Sequence, residues 1–118
     1  MNQRPNAVKI ESHGDILLLD IRGDVTAFSE PSLDSAYNSA KESSPKKIIL
    51  KFEEAAYINS DGIAILIQVL AQSRRNNQKI GITGLSDHFK KVFNMVGITR
   101  LATIYPTLQD ALSAMSAM

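Results

Sequence analysis

Asn59-Ser60-Asp61-Gly62 sets a carboxamide, a hydroxyl and a carboxylate side by side between Tyr57-Ile58 and a long apolar segment that begins at Ile63. A strand end that feeds a helix start is where a small α/β domain presents polar groups to a partner. The first helical turn leaves backbone N–H groups unpaired and carries the positive end of the helix dipole. Two kinds of chemistry suit a hydroxyl there. Ser60 or Asn59 can cap the helix, or Ser60 can carry a phosphate or touch a ligand, since added negative charge is favoured at a helix N-terminus. Asp61 also has two readings. Its charge suits the first turn, and it can order a partner's basic side chain or a magnesium ion, or repel a second negative charge on Ser60.

Two further polar groups fall near the carboxyl ends of expected strands, Asp24 with Thr26 and Thr83 with Ser86. Loops that converge at one end of a sheet make a shared surface. Lys90, Lys91 and Asn94 lie beside Phe89, Phe93 and Met95, so the helix that carries them either packs its aromatics into the core or leaves apolar area for a protein partner.

Other chemistry is poorly supplied. A serine nucleophile needs a base, and the two histidines, His13 and His88, read as a hairpin-turn residue and an exposed helical residue. Glu53-Glu54 are adjacent, and neighbours in a strand point apart, which argues for a solvated loop. Gly81, Gly84 and Gly97 lack the spacing and lysine of a phosphate-binding loop. The chain has no cysteine, which excludes a disulfide, a thiolate nucleophile and a cysteine-ligated zinc. Thirteen basic and twelve acidic side chains give a net charge of +1, too small a field to argue for nucleic acid or a membrane surface. Arg74-Arg75 with Lys79 read as a solvated face.

The elements that must position these residues follow from periodicity. Ala7 to Ser12 alternates, His13-Gly14-Asp15 turns, and Ile16 to Ile21 is apolar on both faces, which predicts a hairpin with the first strand at the sheet edge. Phe28 to Glu42 reads as a helix with Leu33, Ala36, Tyr37 and Ala40 on one face, Ser29 as its cap and Ser43-Ser44-Pro45 as its stop. Lys46 to Phe52 is a third strand, and the helix after Gly62 runs to about Asn76. Lys79 to Gly84 is a fourth strand, Ser86 caps a helix to about Val96, and Gly97 closes it. A short strand at Leu101 to Ile104 and a helix from Leu108 to about Met115, capped by Thr107, complete the order. Right-handed strand-helix-strand crossovers make the later strands parallel. At 118 residues the chain fits a single domain with an ordered core over 6–115 and a polar leader over 1–6. That leader has no apolar core of a signal peptide, and no later run approaches the ~20 residues of a membrane span, so a cytoplasmic protein is expected.

With the motifs in that order, the chain resembles the STAS domain family, which includes the bacterial anti-sigma factor antagonists and the related domain of sulfate transporters. The likeness is carried by Gly23-Asp24-Val25, by Ile48 to Leu50 followed by Asn59-Ser60-Asp61-Gly62-Ile63, and by Ile80-Gly81-Ile82-Thr83-Gly84-Leu85-Ser86 with Val92-Phe93 and Val96-Gly97-Ile98. It implies an α/β fold with a five-stranded, mostly parallel sheet, an N-terminal hairpin strand at its edge and about four helices. It also implies a non-enzymatic protein, without cofactor or metal, that binds an anti-sigma factor with serine kinase activity and frees the sigma factor. In the family the first serine of the motif is phosphorylated, which corresponds to Ser60, and phosphate there disrupts docking. The implied partner surface comprises Asp24, Thr26, Asn59, Ser60, Asp61, Gly62, Ser86 and Lys90, with no direct contact to nucleic acid or membrane and a weak homodimer left open.

The motif departs from the family at two positions: Asn59 replaces the usual aspartate, and Asp61 the usual second serine or threonine. The same fold also serves as a scaffold or sensor-assembly component, or as an accessory subunit of a membrane transport system. A small enzyme or nucleotide-binding protein would instead need a polar pocket around Asp24, Ser60 and Ser86.

Overall fold

The computed structural model describes residues 6–43 and 45–118. Five strands form one sheet in the order β1-β2-β3-β4-β5, with β1 (Ala7–His13) antiparallel to β2 (Ile16–Arg22). The remaining strands, β3 (Lys47–Lys51), β4 (Lys79–Thr83) and β5 (Thr103–Ile104), each run parallel to the one before. Between them run α1 (Glu30–Glu42), α2 (Ser60–Arg75) and α3 (Asp87–Met95), and α4 (Leu108–Ser116) follows β5. This is the mixed sheet with an antiparallel edge hairpin and four helices that the periodicity implies.

Strand alternation divides the apolar residues between two layers. Leu17, Leu19, Ile21, Ile48, Leu50, Ile80 and Ile82 meet Leu33 and Tyr37 of α1, Leu66 and Leu70 of α2, and Phe89 and Phe93 of α3 in the larger core. On the other face Ile16, Leu18 and Ile49 pack against Ala111 and Met115 of α4 in a smaller cluster. The central strands are therefore apolar on both faces because helices cover both.

Further along the α4 side the same alternation puts a charge indoors. Asp20 is buried, and Arg22 reaches both of its oxygens at 3.2 Å, while Lys51 Nζ lies 3.9 Å away. The hydrogen bond to Asp20 holds the Arg22 guanidinium even more firmly protonated than usual. At the opposite end of the sheet, buried Lys47 pairs with Asp15 in the hairpin turn at 3.0 Å, and that hydrogen bond pulls the Asp15 carboxyl below its ordinary range. Neither pairing is visible in a periodicity.

Several local expectations change. Ser29 does not cap α1: a 3-10 turn, Ala27–Ser29, precedes the helix, and Thr26 caps that turn in a reciprocal box with Ser29. Ser29 is buried, because its hydroxyl accepts from Thr26 N–H and donates to the Asp24 carbonyl. Asn6 does not belong to a leader, since its side-chain amide donates to the Arg22 and Asp24 carbonyls at 2.9 and 2.8 Å. The rest of that leader, residues 1–5, lies outside the described residues, as does Ser44 in the stop after α1. A second 3-10 turn, Ile98–Arg100, follows α3, and the strand expected from Leu101 to Ile104 shortens to Thr103–Ile104 because Leu101 and Ala102 still belong to the turn. The aromatics of α3 are core: Phe93 is fully buried and meets Phe52 edge to face at 6.3 Å.

Glycine at 84 is required twice over. Its φ of +86° is a left-handed conformation, and a methyl group there would collide with the Phe52 carbonyl oxygen. That close approach brings the β3 exit beside the β4 exit, where Phe52 N–H donates to the Thr83 carbonyl at 2.9 Å. Gly14 shares a positive φ, +64°, but has open space around it. Gly14→Ala should therefore cost about 1 kcal/mol of conformational strain, and Gly84→Ala about 3 kcal/mol, strain and backbone displacement together. Equal midpoints for the two variants in urea denaturation would refute the close-approach argument.

Candidate partner-binding site

The segment 57–62 is held in place by the loop that follows β2. Val25 N–H donates to the Tyr57 carbonyl at 2.9 Å and Asn59 N–H to the Val25 carbonyl at 3.1 Å, forming a one-residue parallel bridge between Val25 and Ile58. Asp24 adds a side-chain bond, its Oδ1 accepting from Tyr57 N–H at 2.9 Å. Glu53 Oε1 accepts from Gly23 N–H at 2.6 Å, so Glu53 ties the exit of β3 to the exit of β2. The loop reading of Glu53-Glu54 holds, but Glu53 is a fastener as well as a solvated charge.

Gly62 completes the junction. A side chain at 62 would run into the Val25 carbonyl, so the first turn of α2 sits directly on the Val25 peptide. Asn59 caps the helix, its Oδ1 accepting from Gly62 N–H at 2.9 Å, and its backbone is extended, as a cap requires. The choice between Asn59 and Ser60 as cap is thereby resolved in favour of Asn59. Ser60 is the first residue of α2 and is exposed, so its hydroxyl faces solvent beside the exposed carboxylate of Asp61.

The other expected surface residues divide by burial. Asp24 is exposed although one of its oxygens is engaged by Tyr57. Thr26 is 8% exposed and occupied as a cap, and Gly62 is buried, so both shape the surface from beneath and neither offers a side chain to a partner. Ser86 is half-buried and caps α3, its hydroxyl accepting from Phe89 N–H at 3.3 Å. Lys90 is half-buried and reaches Asp87 at 3.6 Å. Periodicity alone did not single out Phe28 and Tyr57 as exposed residues, 69% and 59% accessible, in the loops bonded to each other through Val25. Tyr57 rests edge-on against Phe89 at 5.9 Å. Aromatics at strand exits, outside any periodic stripe, were the available signal.

Beside Asp61, a shallow groove runs between α1 and α2, lined by Ala27, Glu30, Asp61, Ala64, Ile65 and Gln68. Two carboxylates on an apolar floor suit a basic side chain better than an anion. His88 is exposed and stacks edge-on against Phe89, and His13 lies at the far end of β1 beside Glu11. Among the described residues no three His, Cys, Asp or Glu side chains are grouped to hold a metal, and no helix is long and apolar enough to cross a membrane.

Because the cap is Asn59, the two neighbouring polar residues should respond differently to truncation. Asn59→Ala is expected to lower stability by about 1 kcal/mol, and Ser60→Ala to change it by less than about 0.5 kcal/mol. Thermal or chemical denaturation checks this, and a larger loss for Ser60→Ala would show that the serine hydroxyl supports the helix.

Comparison with known proteins agrees with this fold. Residues 7–111 match the model of the STAS domain. The chain is 21% identical over 81 residues to an anti-sigma-B factor antagonist of Staphylococcus aureus, covering 69% of this chain and 75% of that protein. Among solved structures, an anti-sigma factor antagonist from Mycobacterium paratuberculosis superimposes with a TM-score of 0.78 at 21% identity, over 92% of each chain. The Bacillus cell fate determinant SpoIIAA in its phosphorylated form gives a TM-score of 0.66 at 13% identity, over 92% of this chain and 99% of that one. With the model matched across nearly the whole sheet and its helices, this chain belongs to the STAS domain family.

Proposed function

We propose that this domain is an anti-sigma factor antagonist, a non-enzymatic binding module of the cytoplasm that docks on an anti-sigma factor with serine kinase activity and is released by phosphorylation of Ser60. The observation that carries the reading is the exposed Ser60 hydroxyl at the first residue of α2, with the capping role taken by Asn59. The names of the Staphylococcus and Mycobacterium relatives support the antagonist role, and SpoIIAA supplies a relative described in a phosphorylated form.

The proposed docking surface consists of Asp24, Asn59, Ser60, Asp61, Ser86 and Lys90, with Phe28 and Tyr57 as its apolar contacts and Thr26 and Gly62 as its underlying supports. Aromatic residues at the edge of a polar patch are effective anchors for a protein partner, because a large area is buried for little loss of side-chain freedom. Sigma-factor release follows from competition, since the anti-sigma factor bound to this surface is withdrawn from the sigma factor.

Phosphate on Ser60 would add a charge of about −1.5 to −2 and three strong acceptor oxygens at the centre of that surface. Two effects oppose each other there. The helix N-terminus and its free N–H groups favour the phosphate within the domain, while Asp61 at the next position disfavours it by repulsion. A partner surface complementary to a neutral hydroxyl then loses affinity through desolvation and charge mismatch, and each 1.4 kcal/mol lost is about a tenfold change. The domain itself need not refold.

Asp61, in place of the second motif serine or threonine, gives the surface a standing negative charge before any modification. Asp61→Ser should therefore speed phosphoryl transfer to Ser60 and weaken contact with any basic groups of the kinase.

The test uses the cognate kinase with ATP. Mass spectrometry should find a single phosphate on Ser60, absent in Ser60→Ala. Titration should show Ser60→Ala binding the kinase as tightly as the unaltered domain, and Ser60→Asp at least about tenfold more weakly. An unmodified Ser60 together with equal affinities for both variants would overturn the proposal.

A further inference from the structure

The end of the sheet remote from Ser60 carries a second polar feature, a cleft of about 310 Å³ bounded by the C-terminal turn of α2, the start of β4, the 3-10 turn before β5 and the end of α4. Ser60 and this cleft are separated by the length of α2, whose 16 residues span about 24 Å at 1.5 Å each. Arg74, Lys79 and Arg100 line it, no Asp or Glu side chain does, and the last residue of the sequence, Met118, lies along it as well. Among the described residues none of the three is paired with an acidic group. Three cations and no Asp or Glu side chain in one cleft stand out in a chain whose net charge is only +1.

The floor of the cleft is apolar and has a structural cause. Position 81 in β4 is glycine, and a Cβ there would meet Met115 Sδ at 2.6 Å and the Tyr105 ring at 3.0 Å. Met115 and Tyr105 are thus seated on the bare backbone of β4; Met115 is buried, and the half-buried Tyr105 and Leu101 line the cleft with a ring and an aliphatic side chain. The volume lies at the small end of the range for small-molecule sites, ~300–1,000 Å³.

We propose that this cleft is a binding site for a small organic phosphate, with the phosphate held by Arg74, Arg100 and Lys79 and an apolar or aromatic body resting on Tyr105 and Leu101. Guanidinium groups match phosphate oxygens in a two-pronged geometry that a lysine alone cannot offer. A dianionic head balances more of the three charges than a carboxylate would, and the apolar floor adds affinity that inorganic phosphate cannot use. The site is independent of the Ser60 surface, so it stands or falls apart from the proposed antagonist role.

Phenyl phosphate is the probe, followed by amide chemical shifts of the isotopically labelled domain. Saturable shifts are expected at Lys79 and over Thr99 to Tyr105. Inorganic phosphate and benzoate, which each lack one half of the ligand, should bind about tenfold more weakly. Arg74→Ala and Arg100→Ala, both at exposed positions, should weaken phenyl phosphate by a similar factor, while Lys91→Ala on exposed α3 leaves it unchanged. Non-saturating shifts, shifts centred elsewhere, or arginine variants that bind as before would overturn the site. Inorganic phosphate or benzoate binding as tightly as phenyl phosphate would overturn the assigned ligand class.

Discussion

The Val25 peptide lies against the first turn of α2 so closely that position 62 has no room for a side chain. Everything about the candidate site depends on that approach. Val25 donates to Tyr57 and accepts from Asn59, so the loop after β2 and the loop after β3 are joined as a one-residue extension of the parallel sheet. Asp24 and Glu53 tighten the same junction from its exposed side. A surface built from two irregular loops would ordinarily fluctuate, because loops carry few buried contacts. Here both loops are bonded backbone to backbone, and the Ser60 hydroxyl inherits the rigidity of the helix it begins.

Polar groups in this domain separate into those that are engaged and those that are presented. Thr26, Ser29, Asn59 and Ser86 satisfy backbone groups at helix and turn starts. Asp20 and Lys47, both buried, are met by opposite charges, as an ionised group withdrawn from water must be. Ser60 and Asp61 differ by being exposed and adjacent at a positive helix end. The helix dipole favours negative charge at that end, and Asp61 already supplies one, so a phosphate added beside it would be a large change in local charge. The opposite end of α2 has the reverse character, with Arg74 and Arg75 in its last turn, where cations complement the negative pole.

Much of the architecture could be read directly. Alternation in Ala7 to Ser12, the doubly apolar run of β2 and the broad apolar surface of α2 are local patterns with a period, and period is what a linear chain displays. The expected caps Ser86 and Thr107 are found in those roles, and Gly97 takes the left-handed conformation after α3. Ser29 is the instructive exception. Its position before Glu30-Pro31 fits a cap, yet Thr26, three residues earlier, starts a 3-10 turn that draws Ser29 inside. Two overlapping local signals were present, and the bonds of the Ser29 hydroxyl to the Thr26 N–H and the Asp24 carbonyl chose between them.

By itself the sequence determined the order and type of the elements, the two-sided burial of the central strands and the position of Ser60 at a helix start, because each rests on side chains within a few residues of one another. Which residue caps α2, why Gly62 and Gly84 admit no side chain, how Asp20 finds Arg22 and Lys51, and how Arg74, Lys79 and Arg100 come to line one cleft were decided only by tertiary structure. Val25 meets Gly62 across 37 positions, and Arg74 and Arg100 stand 26 apart. Contacts of that kind depend on the distance between backbones after the sheet has formed, a quantity that no spacing along the chain encodes.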